Sequence, residues 1–323
     1  MDNQLMIMDC ATNAYEMIDR CKLFLIISKK VNGGFMKHAF LIMAHKNTES
    51  FQTLLRQIDH EKVDIFIHMD RKNKDYNIEL TTDVIKRAHV FHTQRLDVSW
   101  GGFSQIVAEL TLLKLATSKG HYDYYHLLSG QDLLITSLED FFVFFKDHQG
   151  IEFVNFESNI FKHENRVKYY SLQDNIGRNR YMKPLKLINK FSMAIQQKLN
   201  INRNAGVSFQ KGDNWFSITD DLARYVISKE GWIYSTFKYT EMADEVFLQT
   251  IVHNSPFKNK LFLEKYDNNY FNILRKIDWN RGMPYTFRSE DFGELIDSPC
   301  LFARKFDENV DDKIIKEISE YYQ

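Results

Sequence analysis

Short apolar runs alternate along the chain with segments whose apolar residues recur at helical spacing. Runs of four to eight apolar residues indicate buried strands, and apolar residues three or four positions apart indicate one face of a helix. The pattern predicts strands at His38–His45, Val63–Asp70, Ala88–Phe91, Tyr122–Ser129 and Glu152–Phe156, with helices at 47–58, Gly102–Ser118 and Ser137–Asp147. Such alternation predicts an α/β domain with a mostly parallel central sheet flanked by helices, whose ligands gather beyond the carboxyl ends of the strands.

The second half of the chain is less regular. Residues 158–212 are rich in Lys, Arg, Asn and Tyr and contain Pro184, so we expect a helix and loop insertion. A strand end followed by a helix is predicted at 215–227, a helix at Asp244–His253, and a last helix from Lys313. With no internal repeat and no Pro/Gly/Ser linker, residues 36–323 are predicted to form a single domain.

Residues 1–35 lack the pattern of the remainder, and we treat them as a leader that does not belong to the domain. Asn32-Gly33-Gly34 could be encoded by a purine-rich sequence just upstream of Met36, which leads to the hypothesis that Met36 is the natural start. The longest apolar run there, Leu23–Ile27, is far shorter than the roughly 18 residues of a membrane-spanning helix. We therefore expect no transmembrane segment and no signal peptide.

The charges of the chain nearly balance, with 42 Lys and Arg against 43 Asp and Glu and a formal net charge of −1. Nucleic acid is not an expected partner, because counterion release needs a surplus of basic groups. The three cysteines show no C-x-x-C spacing and fit a reducing compartment.

Polar residues follow the first two predicted strands. His45 ends the first strand, and His68 and Asp70, two positions apart on the second, could offer two metal ligands on one strand face. No third ligand clusters with them, so a nucleotide-binding or loop-anchoring role is favoured. Neither a dinucleotide-binding G-x-G-x-x-G nor a P-loop motif occurs.

The carboxylate pair D-x-D, with which many nucleotide-sugar enzymes hold a divalent ion, is also missing from the sequence. In a nucleotide-sugar enzyme, cationic side chains would then have to neutralise the diphosphate. The best supply is Arg281, Arg288, Arg304 and Lys305, although a solvated basic face is an equal alternative.

Asp244 and Glu245 stand at the predicted start of a helix. Acidic residues at this position commonly just compensate the helix dipole. The alternative is a general base, since a carboxylate can accept a proton from a sugar hydroxyl as the hydroxyl attacks. The residues by themselves favour dipole compensation.

Eight blocks, in order, resemble the core-2/I-branching β-1,6-N-acetylglucosaminyltransferase and peptide O-xylosyltransferase family (glycosyltransferase family 14). They are AFLIMAHK, FIHMDRK, RLDVSWGGFSQIVAEL, YYHLLSGQDLLI, DNWFSIT, ADEVFLQT, LRKIDW and LFARKFDE, and they extend from about His38 to Asp307. The resemblance implies a GT-A type nucleotide-sugar-binding fold and an inverting transfer from a UDP-sugar without a bound divalent ion. It therefore implies no metal site and no cofactor beyond the donor substrate.

The resemblance also implies roles for individual residues. Glu245 matches the catalytic base, and Lys305 matches a lysine that meets the diphosphate, with either Arg281 or Arg288 as its partner. His45 and Asp70 match positions near the nucleotide, and Trp100 and Asp132 fall in blocks that flank the cleft. Asp132 is expected to hold a sugar hydroxyl or the loop at the strand end, with a purely structural role left open. Candidate acceptor contacts are Glu157, Arg166, Tyr169 and Trp215.

The resulting prediction is transfer of N-acetylglucosamine from UDP-GlcNAc to a hydroxyl of a glycan or lipid-linked glycan, for example in a surface polysaccharide. The alternatives are a UDP-xylose-dependent O-xylosyltransferase and a catalytically idle carbohydrate-binding protein of the same fold. Animal members of the family are membrane-anchored and rich in disulfides. The short apolar runs and three cysteines here therefore favour a cytoplasmic enzyme, either free or peripheral at the inner face of the membrane.

Overall fold

A computed structural model of the protein describes residues 36–171 and 183–322. The predicted leader, residues 1–35, lies outside these described residues. The strands are β1 His38–Ala44, β2 Val63–Met69, β3 His89–His92, β4 Tyr124–Ser129, β5 Asp132–Leu134, β6 Phe153–Val154, β7 Phe216–Thr219, β8 Arg275–Ile277 and β9 Phe302–Arg304. The α-helices are α1 Glu49–Gln57, α2 Glu79–Thr82, α3 Ser104–Lys119, α4 Leu138–Asp147, α5 Glu164–Lys168, α6 Lys183–Lys198, α7 Asp220–Ser228, α8 Glu230–Phe237, α9 Phe247–His253, α10 Phe292–Ile296 and α11 Lys313–Tyr321.

The main sheet has six strands in the order β3-β2-β1-β4-β7-β6. Strands β3, β2, β1 and β4 run parallel to their neighbours, whereas β7 is antiparallel to β4 and to β6. The prediction of an α/β fold with a mostly parallel sheet flanked by helices is confirmed.

Both faces of this sheet are covered by helices, which explains why its central strands are nearly continuous apolar runs. Ala39 and Leu41 of β1 pack in one core with residues of α3 and α7. Phe40 and Ile42 pack in the other, with residues of α1, α4 and α11. Alternate residues of one strand therefore reach opposite cores, as the pleat requires.

A second sheet, in the order β5-β9-β8, was not predicted. Strand β5 pairs antiparallel with β9, and β8 pairs parallel with β9. Each strand has only three residues, too few to show a periodic signal in the sequence. This sheet places the residues that follow β4 against the chain near residue 304.

One predicted helix is wrong at its start. Residues Ala243–Glu245 form a 3₁₀ turn, and the α-helix begins only at Phe247. Met242, before the turn, has a left-handed backbone with φ of 50°. Glu245 therefore lies in a tight turn ahead of the helix and not within its first turn.

The insertion between residues 158 and 212 contains α5 and α6, and residues 172–182 within it lie outside the description. Among the described helices, none combines the length and apolar character needed to cross a bilayer.

Candidate functional site

The carboxyl ends of β1, β2 and β4 meet at one edge of the main sheet. The Asp70 amide donates to the Ala44 carbonyl at 2.8 Å, and the Gly130 amide donates to the Met43 carbonyl at 3.3 Å. The chain connections reverse direction between β1 and β4, and such a switch point opens a crevice beyond the strand ends. His45, Asp70 and the turn at 129–132 lie at this crevice.

Asp70 is held at the rim of the crevice by its own loop. Its Oδ1 accepts a hydrogen bond from the Lys72 amide at 2.9 Å, and Lys72 Nζ lies 3.8 Å from Oδ2. The loop is fixed by Arg95, which donates to the carbonyls of Met69 at 3.2 Å and of Asp70 at 2.9 Å. The carboxylate of Asp70 is thus positioned before any ligand arrives.

His45 lies close to several charged residues from distant parts of the chain. Desolvation by the surrounding protein lowers the pKa of His45, and the charge of Lys46 lowers it further. The negative charges of Asp70 and Asp307 raise the pKa of His45, and the positive charge of Lys305 lowers it. Lys305, which follows β9, is therefore near enough to His45 for its charge to act on the ring, and its role at the diphosphate stays a prediction.

His68 is no candidate ligand in this arrangement. It is buried, and its Nε2 accepts a hydrogen bond from the Leu96 amide at 3.1 Å, which leaves it a structural role. Over the described part of the chain, no group of three or more His, Cys, Asp or Glu residues is arranged to hold a metal ion. The metal independence implied by the resemblance stays a prediction.

Asp132 begins β5, directly opposite Arg304 in β9. Its Oδ1 lies 3.1 Å from Arg304 Nε, a close ion pair but not an aligned hydrogen bond, and its Oδ2 accepts from the Ser129 amide. With only 1% of its surface exposed, Asp132 contacts the protein on both oxygens. Of the two roles predicted for Asp132, these contacts favour the structural one.

Arg304 also stacks on an aromatic ring. Its guanidinium carbon lies 4.1 Å from the centre of the Trp215 ring, a cation–π distance. Trp215 is 8% exposed, so the ring supports Arg304 and has little free face for a sugar. Arg304 is held from two sides immediately before Lys305.

The two arginines predicted to partner Lys305 have different surroundings. Arg281 is bound by three carboxylates, those of Asp278 at 2.5 Å, Asp291 at 2.5 Å and Glu294 at 2.7 Å. Arg288 is exposed to solvent. Arg304, which sequence reasoning considered but did not select, is the arginine adjacent to Lys305.

A second cluster surrounds Glu245. Arg166 Nη1 lies 3.2 Å from Glu245 Oε2, and Lys211 Nζ lies 3.5 Å from the same oxygen. Lys211 Nζ also lies 3.6 Å from Glu157 Oε1, while His163 Nε2 lies 2.8 Å from Glu157 Oε2. Three predicted residues, Glu245, Glu157 and Arg166, are brought together by a lysine that the sequence analysis missed.

The charge state of Glu157 follows from these neighbours. Burial opposes its ionisation, but the contacts with His163 and Lys211 outweigh burial and hold the pKa of Glu157 below its ordinary value. Glu157 is therefore a carboxylate at neutral pH, and the cluster balances two acidic residues against Arg166 and Lys211.

The backbone around Glu245 is fixed by two loops. The Gly212 amide donates to the Glu245 carbonyl at 2.9 Å, and the Met242 amide donates to the Gly101 carbonyl at 2.9 Å. Gly101 has a φ of +72°, which favours glycine, and follows the half-exposed Trp100. The VSWGG loop is therefore attached to the turn that carries Glu245.

Asp213 connects the two clusters. Burial raises the pKa of Asp213 to about 6, and the charge of Glu245 raises it as well. The Asn155 amide, which donates to Asp213 Oδ2 at 2.7 Å, opposes this change together with the charges of Lys211 and Arg304. The charges of Glu245 and Arg304 thus both act on Asp213, with opposite effects on its pKa. The one sequence feature that could have pointed to Asp213 is its position at the start of the DNWFSIT block.

Two cavities open in the insertion between residues 158 and 212. One, of about 300 Å³, is lined by residues between 159 and 168 and between 202 and 210. The other, of about 370 Å³, is lined by Phe161–Arg166. Because Arg166 contacts Glu245, the second cavity adjoins the Glu245 cluster. Tyr169, at the end of α5, is half-buried, and its carbonyl accepts from Arg203.

Comparison with known proteins agrees with this architecture. The family model described as Core-2/I-Branching enzyme matches residues 38–296. Curated relatives include xylosyltransferase 2 of Rattus norvegicus, 24% identical over 319 residues, which cover 88% of this chain and 34% of the relative. Xylosyltransferase sqv-6 of Caenorhabditis briggsae is 24% identical over 341 residues, which cover 94% of this chain and 40% of the relative. Xylosyltransferase 1 of Homo sapiens is 23% identical over 315 residues, which cover 88% of this chain and 30% of the relative. The chain spans about a third of the length of these relatives.

Proposed function

The chain belongs to the Core-2/I-Branching enzyme family, a family of glycosyltransferases, and on this premise we propose that it transfers a sugar from a UDP-sugar to a hydroxyl group with inversion. The observation that carries the proposal is the cluster around Glu245, the proposed base. Its Oε2 lies 3.2 Å from Arg166 Nη1 and 3.5 Å from Lys211 Nζ, and the turn that carries it is hydrogen-bonded to Gly101 of the VSWGG loop.

In the proposed reaction the acceptor hydroxyl attacks the anomeric carbon from the face opposite UDP. A new carbon–oxygen bond forms, the bond to the diphosphate breaks, and UDP leaves with the electron pair. Glu245 accepts the hydroxyl proton. UDP needs no proton to leave, because Arg304 and Lys305 stabilise its negative charge.

The Glu245 cluster suits an acceptor site. A sugar hydroxyl would take the place of one of the cations at Glu245 Oε2, and Arg166 and Glu157 would then be available to hydrogen-bond neighbouring hydroxyls. The adjoining cavity at Phe161–Arg166 has room for part of a glycan. Trp100, half-exposed next to Gly101, offers a ring face for stacking on a sugar.

The nucleotide would occupy the crevice at His45 and Asp70. Metal-independent catalysis is supported by the absence of D-x-D from the sequence and by the basic pair at the crevice. N-acetylglucosamine is the donor sugar predicted from sequence. Xylose is the second candidate, because the curated relatives are named xylosyltransferases. A cytoplasmic location and a glycan or lipid-linked glycan acceptor stay proposals.

The test is UDP release from UDP-GlcNAc, UDP-xylose, UDP-glucose and UDP-galactose, each with and without EDTA, together with thermal shift. We expect one donor to stabilise both the wild type and Glu245→Gln, while only the wild type releases UDP from it. The exposed Glu264→Gln is the matched control and should behave as wild type. Turnover of Glu245→Gln at the wild-type rate would overturn the role of Glu245. Sensitivity to EDTA would overturn metal independence, and donor binding without release by the wild type would favour the carbohydrate-binding alternative.

A further inference from the structure

Helix α6 (Lys183–Lys198) presents its polar side to the protein. Gln196 Nε2 donates to the Tyr170 carbonyl at 3.0 Å, and the Tyr170 amide donates to Gln196 Oε1 at 2.7 Å. Two turns earlier, Asn189 Nδ2 donates to Ser171 Oγ at 3.3 Å. Asn189 and Gln196 are 5% and 8% exposed. A surface helix of a globular protein ordinarily faces the core with apolar residues, so α6 has the reverse orientation.

The opposite side of α6 is apolar and open to solvent. Leu187, Phe191, Ile195 and Leu199 follow one another at intervals of four residues and are 70%, 69%, 43% and 68% exposed. Residues at this spacing form a continuous row along one face of a helix. Ile188, 54% exposed, widens the row. Single exposed apolar residues are common, but a contiguous patch of this kind marks a binding surface.

The charge beside the row is of one sign. Residues 183–200 contain four lysines and no acidic residue, although the whole chain has a formal net charge of −1. Lys190 and Lys198 are exposed. At roughly 100° of rotation per residue from Lys183, the row extends from about 40° at Leu187 to about 160° at Leu199. Lys190, at about 340°, lies to one side of the row, and Lys198, at about 60°, lies within its angular range near the end of the helix. An apolar row with lysines beside it and at its end is typical of helices that lie in a membrane interface.

We propose that α6 binds the surface of an anionic phospholipid bilayer. The apolar row would enter the boundary between headgroups and acyl chains, and the lysines would contact lipid phosphates. The positive charge of the lysines complements the negative charge of the lipid phosphates, which favours a bilayer over a second copy of the chain as the partner of this surface. In a twofold dimer, α6 would pack on its own copy and bring lysines together, with no acid on the helix to pair with them.

The position of α6 also fits the proposed reaction, although the inference does not depend on it. The helix is bonded to Tyr170 and Ser171, which directly follow the segment that carries Arg166 and Tyr169. A bilayer on this side would bring a lipid-linked acceptor towards the Glu245 cluster.

The test is flotation of the full chain with phosphatidylcholine vesicles, with and without phosphatidylglycerol. We expect binding to the anionic vesicles, weakened by added salt. The double variant Leu187→Gln/Phe191→Gln should bind at least tenfold more weakly, and Lys190→Glu/Lys198→Glu should lose the preference for phosphatidylglycerol. Ile78→Gln, which removes an apolar side chain of 51% exposure elsewhere, is the matched control and should bind as wild type.

Several results would overturn the inference. The first is that the wild type does not bind anionic vesicles at low salt. The second is that Leu187→Gln/Phe191→Gln binds them as tightly as the wild type. The third is that the wild type forms a dimer in solution and this variant does not. Unchanged thermal stability of the variants shows that they fold. Glu245→Gln separates the two proposals, because it should bind vesicles as wild type whether or not it transfers sugar.

Discussion

The guanidinium of Arg304 is fixed between the carboxylate of Asp132, 3.1 Å away, and the ring of Trp215, 4.1 Å away. Asp132 and Arg304 come from β5 and β9, so the pair joins the chain after β4 to the chain before Lys305. The arrangement fixes one cation immediately before Lys305 without any ligand, and preorganised cations stabilise the charge of a leaving group most effectively.

Asp132→Asn should therefore destabilise the protein. It removes the charge that compensates Arg304, whose side chain is only 16% exposed, and breaking a buried ion pair costs about 3 kcal/mol. Urea denaturation measures the change in the free energy of unfolding. The matched control is Asp312→Asn, whose partner Lys316 is exposed, and here we expect a much smaller change, because solvent screens an exposed ion pair. Similar losses for the two variants would contradict the structural role of Asp132.

Arg304→Gln and Lys305→Gln should each weaken UDP binding by roughly tenfold to a hundredfold, because hydrogen bonds between charged groups contribute about 1.5–3 kcal/mol. Arg281→Gln should leave UDP binding unchanged, since Arg281 is engaged by three carboxylates. Calorimetric titration with UDP measures all three, with Arg288→Gln beside them. If Arg281→Gln or Arg288→Gln binds UDP more weakly than the wild type and Arg304→Gln does not, the arginine that acts with Lys305 is the one predicted from sequence.

Gly212→Ala should distort the link between the two clusters. A Cβ atom at this position would overlap the Asn155 carbonyl oxygen and lie 2.7 Å from its carbon, so the backbone that donates to Glu245 has to move. We expect a loss of stability on the order of 2 kcal/mol and a larger loss of transfer rate. Gly231→Ala in α8 is the control. Its Cβ would meet open space, and alanine should stabilise the helix by about 0.5–1 kcal/mol. Equal stability of the two variants would contradict the steric argument.

Two buried acidic residues, Asp244 and Glu109, should each contribute less to stability as pH rises. Burial raises the pKa of Asp244 to about 7, with a further contribution from the charge of Glu245. Glu109 is fully buried one turn after Gln105, and burial followed by the charge of Asp244 raises its pKa well above the ordinary value. Gln105 donates to Asp244 Oδ2 at 2.9 Å.

The sign follows from proton binding. The folded protein keeps the Asp244 proton where the unfolded chain, with the ordinary value of 3.8, has released it. The stabilisation is complete below about pH 4 and is lost as pH rises towards 7, at up to about 1.4 kcal/mol per pH unit. Asp244→Asn removes this titration, so in denaturation curves measured across that range the free energy of unfolding of the variant should gain relative to that of the wild type as pH rises. Glu264→Gln should show the same pH dependence as the wild type. If the free energy of unfolding depends on pH identically in the wild type and in Asp244→Asn, the prediction is wrong.

Much of the site was predictable because strand ends and motifs are local features. The strands before His45 and Asp70 have a clear apolar pattern, and parallel strands place their carboxyl ends on one edge of the sheet. The ADEVFLQT block pointed to Glu245 through resemblance. Lys211 was missed because a single lysine in a polar loop has no distinguishing pattern, and only its neighbours in space show what it contacts. Asp213 begins the DNWFSIT block, but the block does not show which of its residues is buried among charged neighbours.

The sequence by itself determined the alternation of strands and helices, and hence the main sheet, because apolar periodicity reports which face of each element is buried. Only the tertiary structure decided that residues 132–134 pair with residues 302–304, which orients Arg304, and that α6 faces solvent with its apolar side. Both depend on which distant segments meet. A helix pattern specifies two faces, but the hydrogen bonds of Asn189 and Gln196 to residues 170 and 171 decide which of them faces the protein.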